Sequence, residues 1–273
     1  MSRSARRAMI LLGTVVAASA ALLGLLWAFQ RSLVYLPDTA SVQAPPEVRE
    51  VDLATTDGLR LEAWIVEPDA TSDRSTAVLY APGNAGNRAG RLDMGRALAA
   101  EGFTVLLLDY RGYGGNPGRP TEDGLANDAL AAADLLVAEG FEPARTVYVG
   151  ESIGTGVVAR LQADRPPAGM LLRSPFTDFG AVAAHHLPWA PTGLLLRDRF
   201  PLLDDLAGSQ VPVSVVRGSK DEVVPTQQSA DVARSVENLV EEVVIDGVGH
   251  NDPEMFGEPV VAATVRLADR VVG

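Results

Sequence analysis

The sequence predicts an α/β protein: a mostly parallel sheet with helices on both faces, a short lid segment and an N-terminal transmembrane helix. Three observations carry that expectation. Apolar runs of strand length alternate with Ala-rich amphipathic segments from residue 76 to the C-terminus, the pattern of a parallel sheet covered on both faces. Residues 8–29 form 22 consecutive uncharged positions rich in Leu, Ala and Val. The chain's 273 residues, 47% hydrophobic and 21% charged, suffice for one large core and exclude a disordered or low-complexity protein.

The formal charge of −12 averages two unlike parts. Residues 1–31 carry only Arg3, Arg6, Arg7 and Arg31, which leaves 19 basic against 35 acidic side chains elsewhere, a net −16. So acidic a domain lacks the basic face that phosphate binding needs, and nucleic acid is not an expected partner. With no cysteine in the chain, a disulfide scaffold, a thiol nucleophile and thiolate metal sites are all excluded.

In chain order, the segment 1–31 reads as a membrane anchor. At about 1.5 Å per residue, the run Ala8–Phe29 matches a hydrocarbon core of ~30 Å. Trp27 and Phe29 end it, where aromatic rings favour the interface. The leading arginines keep the N-terminus in the cytoplasm by the positive-inside rule and place the rest outside it. A cleaved signal peptide is the alternative, since Ala18-Ser19-Ala20 has the form of a cleavage site; against it, the apolar run continues through Leu22–Trp27. Residues 32–47, with Pro37, Pro45 and Pro46, read as a linker, and 48–273 as the globular domain. Val48–Ala54 and Leu59–Val66 alternate around Asp57-Gly58, a hairpin signature. Strand runs follow at Thr76–Tyr80, Thr104–Leu108, Thr146–Val149, Met170–Leu172, Val213–Val216 and Glu242–Ile245. Helical patterns lie between or after them at Arg88–Glu101, Thr121–Glu139, Ile153–Asp164, Gln227–Val236 and Pro259–Val271. The stretch 176–207 breaks the rhythm with Pro188, Trp189, Pro191 and Pro201 and reads as a lid.

Ligands of an open parallel sheet sit beyond the carboxyl ends of its strands, so residues just after each run matter most. Gly150-Glu151-Ser152-Ile153-Gly154 joins a strand to a helix. A serine on so sharp a turn projects its hydroxyl over the sheet edge. A serine hydroxyl needs a base. Of three histidines, His185 and His186 are adjacent within the lid, whereas His250 follows the last strand run at the same edge as Ser152. A carboxylate must then orient the imidazole. Asp221 follows Val213–Val216 and lies between the serine and the histidine in sequence; Glu222 and Asp252 compete for the role, and Lys220 offers Asp221 a plain ion pair. The loop Ala81-Pro82-Gly83-Asn84-Ala85-Gly86-Asn87 brings backbone close to the serine. The N–H groups of Asn84 and Ile153 are the candidate oxyanion donors.

In their joint order, Pro82–Asn87, Asp109-Tyr110-Arg111-Gly112-Tyr113-Gly114, Pro120–Leu125, Gly150–Gly154, Ser174-Pro175-Phe176-Thr177, Lys220–Pro225 and Gly249-His250-Asn251-Asp252 resemble the α/β-hydrolase superfamily. More narrowly, the chain resembles the single-pass membrane serine hydrolases of the ABHD type. The resemblance spans residues 48–253. It implies an α/β-hydrolase fold and esterase, lipase or thioesterase activity, on substrates that in this branch include lysophospholipids and palmitoylated proteins. One departure stands out: such enzymes usually carry histidine where this chain has Pro82. Asp109 and Arg111 read as architectural, tying loops together at a strand end.

The combined expectation is a membrane-anchored serine hydrolase with the triad Ser152, Asp221 and His250, working on a small-molecule or lipid ester without metal or organic cofactor. The apolar lid residues Leu187, Pro188, Trp189, Leu194–Leu196, Phe200, Leu202 and Leu203 either line an acyl site or merely cover the sheet. A serine peptidase on the same fold and a non-catalytic membrane-anchored binding module are the alternatives. Oligomeric state is not legible in the sequence.

Overall fold

The computed structural model describes residues 2–272. Helix α1 (Arg3–Val34) leads through strand β1 (Leu36–Pro37) into the hairpin β2 (Val48–Ala54) and β3 (Arg60–Val66). Next come β4 (Thr76–Ala81), β5 (Ala85–Gly86), α2 (Leu92–Ala100), β6 (Phe103–Leu107), α3 (Glu122–Ala138), β7 (Thr146–Glu151) and α4 (Ile153–Asp164). The chain continues with β8 (Gly169–Arg173), α5 (Phe179–His186), α6 (Thr192–Leu195), α7 (Leu202–Asp205), β9 (Val213–Gly218), α8 (Thr226–Ser235), β10 (Leu239–Ile245) and α9 (Glu258–Val271). Eight strands form one sheet in the order β10-β9-β8-β7-β4-β6-β3-β2. Only β2 and β3 run antiparallel to their neighbours. The remaining pairings are parallel, from β6 to β10.

Alternation along the strands divides the core. Leu61, Ala63, Ile65, Ala77 and Leu79 point to the face covered by α3, α4 and α8. Trp64, Val66, Val78 and Tyr80 point to the face covered by α2 and α9. Both faces of the inner strands are therefore dry, which is why those strands read as unbroken apolar runs. Edge strand β10 is only half-buried; an edge has no neighbour on its outer side, and its Glu241 and Glu242 pair with Arg266 and Arg217 instead of joining the core.

The N-terminal helix is long and apolar enough to span a membrane. It runs three residues beyond the expected anchor boundary at 31, and its end is docked on the domain. Gln30 is buried, its carboxamide donating to Leu195 O and accepting from Arg197 N. Arg31 forks onto Asp198 at 2.7 and 2.9 Å. The segment 32–47, expected as a tether, starts as the last helical turn; β1 then pairs in parallel with β5, and Tyr35 is buried in the core. Buried peptide groups need partners, and β5 supplies them to a stretch whose prolines had suggested free chain.

Arg111 performs the tying role that its position after β6 suggested. Its backbone N–H and guanidinium both donate to buried Asp128 on α3, and its other edge grips Asp57 in the β2–β3 turn at 2.6 and 3.0 Å. Removing one partner of a buried pair leaves an uncompensated charge, at a cost of about 3–5 kcal/mol. Asp128→Ala is expected to lower Tm by roughly 10 °C in a thermal melt of the full chain; an unchanged Tm would remove this network from the fold's supports.

Candidate active site

Strand β7 ends at Glu151, and α4 begins at Ile153; Ser152 stands between them at φ 53, ψ −116. A non-glycine residue in this region carries roughly 1–3 kcal/mol of strain and persists only where its surroundings hold it. Ser152 N donates to Arg173 O on β8 at 2.9 Å, and its carbonyl accepts from Thr155 N at 2.9 Å. The flanking glycines are demanded by contact. A Cβ on Gly154 would lie 2.1 Å from Ala81 O, and one on Gly150 would lie 2.7 Å from Thr155 Cα. The strand-to-helix turn is thus wedged against the end of β4.

His250 and Asp221 meet at the same edge. His250 Nδ1 lies 2.7 Å from Asp221 Oδ2, with both residues buried. Asp221 Oδ1 accepts from the N–H groups of Val223 and Val224 at 3.0 and 2.9 Å, so the carboxylate is fixed on both oxygens. Burial alone would raise its pKa; the His250 hydrogen bond and charge, with the Val224 N–H, outweigh burial and hold it below the usual value. The competitors are placed elsewhere. Glu222 is exposed, and Asp252 Oδ2 accepts from Gly249 N at 2.7 Å, bracing the histidine loop. Neither His185 nor His186 joins the constellation; His186 Nε2 bonds Val223 O at 2.8 Å. Among the described residues no hydrogen bond links Ser152 Oγ to His250, and such contacts commonly tighten only with substrate bound.

The loop after β4 takes its shape from three side chains. Tyr110 Oη donates to Pro82 O at 3.1 Å, Tyr113 Oη donates to Asn84 O at 2.8 Å, and Asn84 Nδ2 donates to Val34 O at 2.7 Å. Asn84 O also accepts from Leu36 N. Among the described residues no turn or loop hydrogen bond is donated by the backbone N–H of Asn84 or Ile153.

Residues 76–203 match the sequence profile of the alpha/beta hydrolase fold family. The alpha/beta hydrolase domain-containing protein WAV2 of Arabidopsis thaliana is 31% identical over 78% of this chain and 76% of its own. The chain belongs to the alpha/beta hydrolase family. An uncharacterized protein of Mycobacterium tuberculosis, Rv2307c, is 40% identical over 97% of this chain and 96% of its own length. The lysophosphatidylserine lipase ABHD12 of Gallus gallus is 34% identical over 57% of this chain and 41% of its own. Among solved structures, the Pyrococcus furiosus esterase PF2001 superposes with a TM-score of 0.66 at 19% identity, over 88% of this chain and 99% of that one. At that identity the likeness speaks for the fold.

The sequence reading passed over a buried charge network beneath this hydrolase's site. Glu151, the second residue of the serine motif, is buried and takes Arg91 on both oxygens at 2.6 and 3.1 Å and Tyr80 Oη at 2.9 Å. Arg173 Nη2 lies 3.2 Å away, while its Nη1 donates to His250 O at 2.9 Å and its guanidinium stacks 4.3 Å over Phe256. Gly83 is glycine because a Cβ there would meet Glu151 Oε1 at 2.7 Å. One carboxylate therefore packs against the loop after β4 and, through Arg173, positions the histidine loop. The available signal was a glutamate inside an apolar strand end, which requires a cation nearby.

Two outcomes follow from this geometry. Gly154→Ala pushes the serine turn off Ala81, and a misplacement near 1 Å costs about 100-fold in rate; wild-type kcat/KM in the variant would disprove the wedge. Burial would raise the Glu151 pKa, but Arg173, Arg91 and Tyr80 bring it down from 4.5 to about 2. Its contribution to stability, about 3 kcal/mol, is present in full above pH ~4.5 and is lost as pH falls toward ~2. The Tm gap between wild type and Glu151→Gln is expected to be widest near neutral pH and to close through that window. A gap independent of pH would refute the ionic role.

Proposed function

We propose that the protein is a membrane-anchored serine hydrolase that cleaves carboxylic ester or thioester bonds of apolar acyl substrates. The observation that carries this reading is the 2.7 Å contact between His250 Nδ1 and the doubly held Asp221 carboxylate, at the sheet edge where Ser152 sits on its strained turn. His250 Nε2 accepts the Ser152 proton as Oγ attacks the acyl carbonyl. The resulting oxyanion is met by the N–H groups of Asn84 and Ile153. The tetrahedral species collapses as His250 returns the proton to the departing alcohol or thiol. Water, deprotonated by the same histidine, then releases the acid and restores Ser152. No step calls on a metal or organic cofactor.

Esterases among the structural neighbours and a lipase among the relatives support ester chemistry. The uncharged span of α1 supports anchoring, and Arg3, Arg6 and Arg7 before it support a cytoplasmic N-terminus with the domain on the other side. Ser152→Ala is expected to abolish labelling of the full-length protein by a fluorophosphonate probe, and persistent labelling would sink the assignment. Asp221→Asn, which leaves the geometry but disturbs the imidazole tautomer, should lower kcat by about 10³–10⁴-fold on p-nitrophenyl butyrate; an unchanged kcat would return the role to Glu222 or Asp252.

A further inference from the structure

Between the end of α1 and the lid lies an apolar groove of about 260 Å³, with two walls from distant parts of the chain. One wall is the last two turns of α1, presenting Leu26, Trp27 and Leu33; the other is the lid, presenting Phe179, Val182 and Leu187. Besides the Thr192 hydroxyl and the Trp27 ring, its polar side chains are held by protein partners. The Gln30 amide is spent on Trp27 O, Leu195 O and Arg197 N, and His186 Nε2 is held by Val223 O. What remains on offer is hydrocarbon surface, and Leu33 is still 61% exposed.

We propose that this groove is the acyl-chain site and that its occupant is the chain of a bilayer amphiphile, admitted sideways along α1. Three observations choose that occupant over a protein partner. The helix forming the first wall has its uncharged span immediately upstream, ending at Phe29, so the groove opens where bilayer hydrocarbon meets headgroups. The same wall touches the oxyanion loop, since Val34 O receives Asn84 Nδ2 at 2.7 Å. The opposite wall touches the acid loop, since His186 is bonded two residues from Asp221. A chain lying between the walls is flanked by both halves of the site. The membrane helix is thereby part of the substrate site as well as a tether. Only the cleavage of the bound chain rests on the hydrolase reading above; the groove itself is independent of it.

The test uses the full chain in nanodiscs. A diazirine-bearing palmitate is photocrosslinked to it and the adducts are mapped by peptide mass spectrometry. Adducts on Leu26–Val34 and on Phe179–Leu196 are the expected result; adducts confined to other segments would overturn the proposal. In parallel, kcat/KM is measured on p-nitrophenyl esters of two to sixteen carbons. Each seated methylene should multiply it by about four until the groove is full, and Ala183→Trp, which narrows the groove, should lower the hexadecanoyl-to-acetyl ratio at least tenfold. An unchanged ratio in that variant also overturns it. Loss of fluorophosphonate labelling at Ser152 in unaltered protein, with the groove adducts present, would count against the hydrolase reading and leave the groove standing.

Discussion

The candidate site is organised around one buried carboxylate. Glu151 sits where four parts of the chain converge: Tyr80 from β4, Gly83 from the oxyanion loop, Arg91 ahead of α2 and Arg173 from β8. A charge in that position is tolerable only when its partners are fixed, and fixing them fixes what they carry. Arg173 carries the His250 loop through its carbonyl, and Gly83 carries Asn84. Ser152, the His250 loop and the loop after β4 are thus held together by one buried group.

The second organising relation lies between helix α1 and the edge of the sheet that carries the candidate site. Docking by Gln30, Arg31 and Tyr35 and pairing of β1 with β5 join the end of α1 to the loop that holds Asn84. The oxyanion loop is therefore shaped from two sides, by Tyr110 and Tyr113 from the core and by the helix end. Together these supports define the loop around Pro82.

Much of this was legible beforehand because two periods and one spacing are local properties. Ile153–Asp164 and Val48–Ala54 begin and end in the structure where their patterns begin and end. The strand runs were underestimated at their carboxyl ends, where Glu151, Arg173 and Gly218 continue the ladder; those positions are polar or glycine because they serve the site and not the core. The same bias hid the charge network. Arg173 lies one residue past the apolar run that ends at Leu172, and only its contact with His250 O, 77 positions away, gives it a role. The linker failed as a category for the opposite reason. Prolines and small residues mark chain without its own secondary structure, but a partner strand formed by two residues of another loop cannot be read locally.

The sequence by itself determined the architecture, the candidate serine and histidine, and the presence of a span-length apolar helix. Each of those is encoded in spacing along the chain, where period, turn chemistry and scarcity leave few choices. Tertiary structure alone decided that Asp221, and not Glu222 or Asp252, meets the imidazole, because a choice between carboxylates that all lie in loops at the same sheet edge turns on direction in space. It also decided that Glu151 is a buried hub, and that the span-length helix ends against the loop after β4 and walls a groove with the lid. Those contacts join residues far apart in sequence, and long-range burial is the quantity that no local pattern contains.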